Sequence, residues 1–334
     1  MSIQQYQTTK KGGPFALVLA PMPKPGAHEI TIRPKAVSIN AIDWKNVQFG
    51  ALVAGWPCVL GIEGSGTVES VGEGVTSLKP GDEVMSWIQR TQFNGAFQDV
   101  YQAHESVVAK KPANLSFEEA TSIPITYLAA AATIAVGLKV HISGLSTKDT
   151  NDAPPRSILV LGGSSGVGSS AIQLLRIALP SATIITTSSP THHARLKSLG
   201  AHFTLERSAQ QDAAILKAAT PEGAGVDAII DAVGAGSAEP AVYSALREDG
   251  PKLYSLVITR PGVELPEGIN ATLVGGQSIL DENPNAMKYL SKLLDEDKYK
   301  LPLDVEVVGK GFQAIETGLE KIMKTSGTKL VVSL

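Results

Sequence analysis

The feature that most constrains the fold is a glycine-rich turn between an apolar run and a helical pattern, at residues 158–170. The chain reads Ile-Leu-Val-Leu-Gly-Gly-Ser-Ser-Gly-Val-Gly-Ser-Ser there. The apolar run is a buried-strand candidate, and apolar residues spaced three or four apart over 169–179 form one stripe of a helix. Glycines let the backbone turn tightly and approach a pyrophosphate, and a helix N-terminus offers free N–H groups to phosphates. The pattern therefore predicts a dinucleotide-binding turn.

The spacing departs from the usual fingerprint at one position, because serine stands where the middle glycine is expected. A purely structural turn is the alternative interpretation. The predicted contacts to the cofactor phosphates are Gly163, Ser164, Ser165, Gly166, Val167 and Gly168.

Strand and helix patterns alternate from residue 156 onward. Strand candidates lie at 183–187, 226–231, 252–257 and 271–274, and a helix at 194–199 ends at Gly200. This alternation predicts an α/β fold with a doubly wound parallel sheet. The first third instead has short alternating segments punctuated by glycine and no long helical pattern, which predicts a small β barrel or sandwich.

Several further elements follow from local signals. Ser116 and Glu119 have the spacing of a capping box and predict a helix start. Helices are predicted near 285–294 and 311–324, and strands at 304–308 and 329–334. The uncharged stretch 120–138 is rich in alanine, so we expect a buried helix rather than a membrane span. Asp227 and Asp231 bracket a strand, and we expect them to cap strand ends and loops rather than to form an acid/base pair.

The end of the strand at 183–187 bears on cofactor choice. No carboxylate follows it to hold a ribose 2′-hydroxyl, whereas Ser188, Ser189 and His192 do follow, with Arg195 beyond. Hydroxyls and cationic groups suit a 2′-phosphate, so we predict NADPH, although the basic residues could simply be a solvated helix start. The adjacent His192 and His193 point in different directions, and we predict no metal site.

The amino-acid composition limits which binding partners and which cellular compartment we expect. The net charge is −3 and the isoelectric point is near 6.1, which argues against nucleic-acid binding. Cys58 is the single cysteine, so a reducing compartment fits and we expect a cytoplasmic protein.

Motifs along almost the whole chain resemble the medium-chain dehydrogenase/reductase superfamily. The matching segments are Asn40-Ala-Ile-Asp43-Trp-Lys45, Gly61-Ile-Glu63-Gly64-Ser-Gly66, Lys79-Pro-Gly-Asp82-Glu-Val84, the glycine-rich turn, and Thr325-Ser-Gly-Thr-Lys329-Leu-Val-Val. Zinc alcohol dehydrogenases carry cysteine at the position of Asn40 and histidine at that of Ile62, and their four-cysteine lobe is absent here.

The chain is therefore similar to the zinc-independent branch, which includes quinone oxidoreductases and the enoyl reductases that act in trans with fungal polyketide synthases. The resemblance implies a GroES-like β domain over 1–120, a Rossmann NADPH-binding domain over 121–280, and a C-terminal return to the catalytic domain over 281–334.

The resemblance also implies residues near the nicotinamide: Thr126, Gly234, Leu256 and Val257. Many relatives grip the 2′-phosphate with a lysine near the position of His192 and a tyrosine near that of Leu205, and both differ here.

The reaction that these features imply is hydride transfer from NADPH to the β-carbon of an unsaturated carbonyl compound. Asn40 could donate to the developing enolate oxygen, Lys45 could donate or supply a proton, and Asp43 could orient either. The alternative interpretations are that Asn40 is an ordinary turn residue, Lys45 a solvated surface lysine and Asp43 a loop anchor.

Quinone reduction, a redox-neutral role and a non-catalytic NADPH-binding protein remain open. The substrate could be a small enone, a quinone or a carrier-bound polyketide intermediate, and the chain a monomer or a homodimer.

Overall fold

The structure is a computed structural model that describes residues 1–89, 92–146, 153–258, 263 and 265–334. The chain divides into two compact units. Unit 1 comprises Met1–Ile125, Leu290–Asp295 and Asp304–Leu334, and unit 2 comprises Thr126–Tyr289 and Glu296–Leu303.

The strands, in chain order, are β1 (Ser2–Thr8), β2 (Phe15–Pro21), β3 (Glu29–Ile39), β4 (Cys58–Val59), β5 (Glu63–Val71), β6 (Glu83–Trp87), β7 (Tyr101–His104), β8 (Val108–Lys110), β9 (Ser157–Leu161), β10 (Thr183–Ser188), β11 (Phe203–Glu206), β12 (Ala228–Asp231), β13 (Leu253–Val257), β14 (Asn270–Val274), β15 (Asp304–Lys310) and β16 (Thr328–Ser333).

The α-helices are α1 (Ala41–Phe49), α2 (Phe117–Ala120), α3 (Pro124–Ala132), α4 (Gly166–Ala178), α5 (His193–Ser198), α6 (Ala213–Ala218), α7 (Gly276–Glu282), α8 (Ala286–Asp295) and α9 (Ala314–Ile322). A π-helical turn, Thr133–Gly137, extends α3. Shorter 3-10 turns lie at Glu105–Val107, Pro190–His192, Arg207–Gln211, Pro221–Gly223, Ala235–Ser237 and Pro240–Ala245.

Unit 1 is built on two sheets, as its short alternating segments predict. The larger has the order β15-β16-β3-β5-β6-β8, with β7 also paired to β3, and the smaller has the order β2-β1-β4. All these pairs are antiparallel except β15 with β16. The long strand β3 is largely buried and lies between β16 and β5, so the ends of these three strands are neighbours in the sheet.

Helix α1 was not expected from the apolar pattern of the first third. It lacks a continuous apolar stripe, since its buried residues are Asp43, Asn46 and Val47. Its ends are instead set by local hydrogen bonds: the Asp43 carboxylate accepts the N–H of Asn40 at 3.0 Å, and Gly50 ends the helix with φ +67°. The signal for this helix was therefore its caps rather than its periodicity.

Unit 2 contains the parallel sheet that the alternating pattern predicts, with the order β11-β10-β9-β12-β13-β14. Every residue of β9 is buried, as expected for a strand covered on both faces. The chain moves outward from β9 through β10 and β11 and then resumes on the other side at β12. Ligands of such sheets bind at this switch point, beyond the carboxyl ends of the strands.

The apolar stretch that could suggest a membrane span is a helical segment in the structure. The stretch Phe117–Gly137, which comprises α2, α3 and the π-helical turn, is the one helical run among the described residues that is long and apolar enough to cross a membrane, and 83% of its apolar window is buried inside the protein. Tyr127 and Leu128 are fully buried. This burial is what the prediction of a core helix requires.

Candidate active site

The turn after β9 is shaped by its glycines and closed by a serine cap. Gly162 has φ +75°, and the N–H of Gly163 donates to the carbonyl of Thr187 at 3.0 Å. Ser165 precedes α4, and its Oγ accepts the N–H of Gly168 at 3.0 Å. The first N–H groups of a helix have no partner within it, so the start of α4 offers donors to an anion.

Three glycines of this turn have no room for a side chain. A Cβ at Gly163 would lie 2.1 Å from the Thr186 Oγ1, one at Gly166 would lie 2.4 Å from the Thr126 Cγ2, and one at Gly168 would lie 2.3 Å from the Gly162 carbonyl oxygen. Each distance is below van der Waals contact. The backbone of the turn is therefore held close to its neighbours by the absence of side chains.

The predicted 2′-phosphate residues lie at the same edge of the sheet as this turn. Ser188 is buried at the end of β10, and its hydroxyl donates to the Ser189 carbonyl at 3.2 Å. Ser189 and His192 are half-buried in the segment that follows. The sequence argument missed Glu206, an exposed carboxylate at the end of β11 that pairs in register with Ser188.

The loop after β12 is organised by one buried carboxylate. Asp231 accepts the N–H groups of Val233, Gly234, Ala235 and Gly236 at 2.8–3.1 Å, and the hydroxyl of Tyr254 at 2.6 Å. These bonds confirm the interpretation of Asp231 as a loop anchor, and Gly234 adopts φ +76° within the loop.

Asp227 directly precedes β12, at the end of the strand opposite Asp231. It accepts the N–H groups of Arg156 and Ser157, which confirms its capping role. Leu256 and Val257 are buried at the end of β13, whose residue Leu256 pairs with Asp231. The two predicted nicotinamide contacts on β13 thus lie at the edge of the sheet that carries the phosphate turn.

A returning segment, Glu296–Leu303, holds α4 from the side. The Tyr299 hydroxyl donates to the Ser170 Oγ at 2.7 Å, and Ser170 in turn donates to the Gly166 carbonyl at 2.7 Å. Gln173 bonds both the N–H and the carbonyl of Lys300, at 2.8 and 3.1 Å. This segment was not singled out from the sequence.

Tyr299 also reaches Thr126. Burial raises the pKa of the Tyr299 hydroxyl well above its usual range, and its hydrogen bonding with Ser170 and Thr126 partly opposes that shift. The hydroxyl therefore stays protonated and remains a donor. Thr126 is itself buried and lies beside Gly166, so it adjoins the phosphate turn, and its nicotinamide contact stays a prediction.

Unit 1 holds a buried polar cluster at the ends of its three central strands, which we call the Asn40–Glu63–Lys329 cluster. The Lys329 Nζ donates to the Glu63 Oε2 at 2.6 Å and to the Asn40 Oδ1 at 2.7 Å. The Asn40 Nδ2 donates to the same Glu63 Oε2 at 2.9 Å, and the Ile125 N–H donates to Oε1 at 2.7 Å.

The sheet register explains why these residues meet. Leu330 pairs with Ile39 and Gly64 pairs with Val37, so the starts of β16 and β5 flank the end of β3. Glu63 is fully buried, Lys329 is 4% exposed and Asn40 is half-buried. Of the three, only Asn40 was predicted as a catalytic residue, although Glu63 and Lys329 lay within the quoted motifs.

The other two predicted catalytic residues lie on α1. Asp43 is fully buried, and its carboxylate accepts the N–H of Asn40 at 3.0 Å and that of Gly61 at 3.3 Å. It therefore ties the start of α1 to the segment before β5. Lys45 is half-buried further along the same helix. Catalytic roles for both stay predictions.

Comparisons with known proteins agree with the two units. Residues 26–113 match the family "Alcohol dehydrogenase GroES-like domain", and residues 166–254 match the family "Zinc-binding dehydrogenase". The antiparallel unit is thus GroES-like, and the parallel sheet is a Rossmann-like nucleotide-binding fold.

Relatives cover the whole chain. The protein is 30% identical to the trans-enoyl reductase tndF of Aspergillus flavipes, over 97% of this chain and 96% of that protein. It is 28% identical to the dehydrogenase orf1 of Aspergillus niger, over 94% of each. The quinone oxidoreductase of Coxiella burnetii superposes with a TM-score of 0.73 at 25% identity over all of both chains. The chain belongs to the medium-chain dehydrogenase/reductase superfamily, in its enoyl reductase branch.

Proposed function

We propose that this protein is an NADPH-dependent oxidoreductase that adds hydride, without zinc, to the activated C=C bond of an enone or enoyl thioester. The observation that carries the proposal is the Asn40–Glu63–Lys329 cluster, where an ammonium group partners the buried carboxylate. The relative named as a trans-enoyl reductase, 30% identical over almost the whole chain, supports the substrate class.

The residues of unit 2 fit a nicotinamide dinucleotide. A Cβ at Gly163, Gly166 or Gly168 would clash with neighbouring protein atoms, so these glycines keep the turn compact, and the cap at Ser165 leaves the first amides of α4 available. A pyrophosphate needs this combination of close backbone approach and free N–H donors. Residues 163–168 would therefore hold the diphosphate.

Support for NADPH over NADH comes from the end of β10. Ser188, Ser189 and His192 provide hydroxyls and an imidazole at the position where NAD enzymes usually place a carboxylate. Glu206 is the carboxylate nearest in register, but it is exposed on the neighbouring strand and Arg207 follows it directly. We therefore assign the 2′-phosphate to the Ser189 side of this edge.

The cofactor proposal is tested by titrating the protein with each dinucleotide and following nicotinamide fluorescence. We expect a Kd for NADPH at least about tenfold lower than that for NADH, since a charge-assisted contact contributes about 1.5–3 kcal/mol. The matched variant is Ser189→Asp, which adds a carboxylate at the ribose and should reverse the preference. Tighter binding of NADH by the unaltered protein would contradict the proposal.

A zinc ion does not fit the residues around Glu63. Its Oε2 is already bonded by the Lys329 ammonium and the Asn40 amide, and an ammonium group repels a cation instead of ligating it. In the ranges that the structure describes, no three His, Cys, Asp or Glu side chains are grouped to hold a metal. The charge that develops in the reaction is therefore stabilised by this chain's own side chains.

When bound, NADPH would supply the hydride for the β-carbon of the substrate. The electron pair of the C=C bond moves toward the carbonyl, whose oxygen gains negative charge and needs a hydrogen-bond donor. The Asn40 Nδ2 is the donor that we assign, because Asn40 is the half-buried member of the cluster. The α-carbon then takes one proton, for which Lys45 or a water is the source, and the saturated carbonyl compound leaves.

Quinone reduction is the second candidate, favoured by the likeness to the quinone oxidoreductase structure. The two candidate reactions are separated by following the loss of NADPH absorbance with each of three substrates. These are an enone, an enoyl thioester of N-acetylcysteamine and a benzoquinone. Turnover of the enone or thioester with a saturated product supports the proposal. Turnover of the quinone alone supports the second candidate, and no turnover of any of the three supports a redox-neutral or binding role.

We further propose a cytoplasmic location, supported by the single, buried cysteine Cys58. A carrier-bound enoyl thioester is included in the substrate class because the thioester carbonyl activates the double bond as a ketone does. Comparing the free thioester with the same acyl group on a carrier protein measures whether a carrier contributes to recognition.

A further inference from the structure

The orientation of the Asn40 side-chain amide follows from the chemistry of its two partners. A lysine ammonium can only donate, so it must face the Asn40 Oδ1, and an ionised carboxylate can only accept, so Glu63 must face the Nδ2. Reversing the amide would place oxygen against carboxylate and N–H against ammonium. One orientation is therefore strongly preferred.

This arrangement leaves one hydrogen of the Asn40 Nδ2 uncommitted to Glu63. Glu63 is fully buried and Lys329 is 4% exposed, whereas Asn40 is half-buried. Asn40 is therefore the member of the cluster that can touch a ligand, and the ion pair lies behind it.

A buried ion pair is a costly way to stabilise a fold, because desolvation of both charges offsets most of their attraction. Apolar side chains of similar size would often stabilise such a place equally well. What apolar side chains could not do is hold an amide in one orientation. The pair is thus better explained by the orientation of Asn40 than by stability.

We propose that Lys329 is a positioning residue for the reaction: its ammonium holds the Asn40 amide so that the second Nδ2 hydrogen is presented to the substrate carbonyl oxygen. This inference rests on the proposed reduction of a carbonyl-activated double bond. Lys329 acts through Asn40 and does not itself contact substrate.

The kinetic test is a double-mutant cycle with Asn40→Leu, Lys329→Met and the two combined. We expect each single variant to lower kcat for the enone about 10- to 100-fold, as loss of an oxyanion donor does, with the KM and the Kd for NADPH within about threefold. The combined variant should be no slower than the slower single variant, within about threefold. A combined loss equal to the product of the single losses would overturn the proposal.

Lys329→Met leaves a buried carboxylate without its cation, which can impair folding. The variant Lys329→Met/Glu63→Gln removes both charges and avoids that problem. If its kcat equals that of the unaltered protein, the ion pair has no positioning role and the proposal is wrong. Lys321→Met is the matched control, since it removes a lysine from an exposed ion pair with Glu306, and we expect no change in kcat.

A measurement without substrate keeps this inference separate from the proposed function. The side-chain amide signals of Asn40 in a ¹⁵N-labelled protein are identified as those missing in Asn40→Leu. We expect two well-separated, slowly exchanging hydrogens in the unaltered protein, and averaged or fast-exchanging ones in Lys329→Met/Glu63→Gln. Unchanged signals would overturn the positioning role, whereas absent enone turnover with changed signals would overturn only the proposed reaction.

Discussion

At the scale of single residues, the phosphate turn depends on glycines, whose missing side chains let backbone segments pack closely together. Gly168 shows this most clearly, because its missing side chain leaves room for the Gly162 carbonyl, which an added Cβ would meet at 2.3 Å. That carbonyl belongs to the backbone, which cannot move aside as the end of a flexible side chain can. The first turn of α4 is therefore held against the end of β9 by close backbone contact.

We expect Gly168→Ala to weaken NADPH binding at least about tenfold, because the start of α4 must shift away from the turn. The measurement is the Kd from nicotinamide fluorescence, with the unfolding midpoint recorded alongside. Gly275→Ala is the matched control in the same unit, since Gly275 has an extended backbone and an added Cβ would meet only the Ile258 side chain at 3.6 Å. Equal affinity for the two variants would contradict the steric argument.

At the scale of elements, the segment Glu296–Leu303 stabilises α4 through hydrogen bonds rather than through an element of its own. Tyr299 is packed edge-to-face against Tyr127, with ring centroids 5.8 Å apart, and both rings are buried. The two hydroxyls have different partners: Tyr299 bonds Ser170 on α4, and Tyr127 bonds the Ala286 carbonyl at 3.1 Å. Of these two similar buried hydroxyls, that of Tyr299 bonds α4, which begins at the phosphate turn, and that of Tyr127 bonds Ala286 instead.

We expect Tyr299→Phe to lower the free energy of unfolding by about 1 kcal/mol, the usual contribution of a buried hydrogen bond, and to weaken NADPH binding about three- to tenfold. Tyr127→Phe should cost similar stability and leave the NADPH affinity unchanged. Denaturant unfolding and the fluorescence titration measure the two effects. If both variants change the affinity equally, the segment has no specific role in holding α4.

At the scale of the whole molecule, each unit brings together residues that are far apart in the chain. In unit 1, Lys329 is 266 residues from Glu63 and meets it only because β16 and β5 both flank β3. In unit 2, residues 296–303 lie about 120 positions after α4 in the chain and hydrogen-bond to it through Tyr299 and Lys300.

Binding of the cofactor should stabilise the folded protein, because unit 2 must be folded to present the turn. At a hundred times its Kd, NADPH should add about 2.7 kcal/mol, which corresponds to roughly 5–10 °C in the unfolding midpoint for a unit of this size. A chelator such as EDTA should change neither the midpoint nor the turnover, since the cluster at Glu63 holds an ammonium group. A midpoint that falls on chelation would contradict the zinc-free assignment.

Local signals in the sequence predicted much of this architecture. The strand at Ser157–Leu161 and the capping box of Ser116 with Glu119 depend on neighbours a few residues away, so the pattern alone identifies them. Helix α1 had such a signal in Asn40, Asp43 and Gly50, but an argument based on apolar periodicity does not detect it.

Lys329 and Tyr299 could not be assigned in that way. A lysine that begins an apolar strand is usually solvated, and a tyrosine between two lysines gives no sign of burial. The sequence by itself determined the class of fold, the phosphate turn and the residue types available to the site. Only the tertiary structure decided which distant charges partner Asn40, because strand order and register, unlike caps and turns, are set by contacts across the whole sheet.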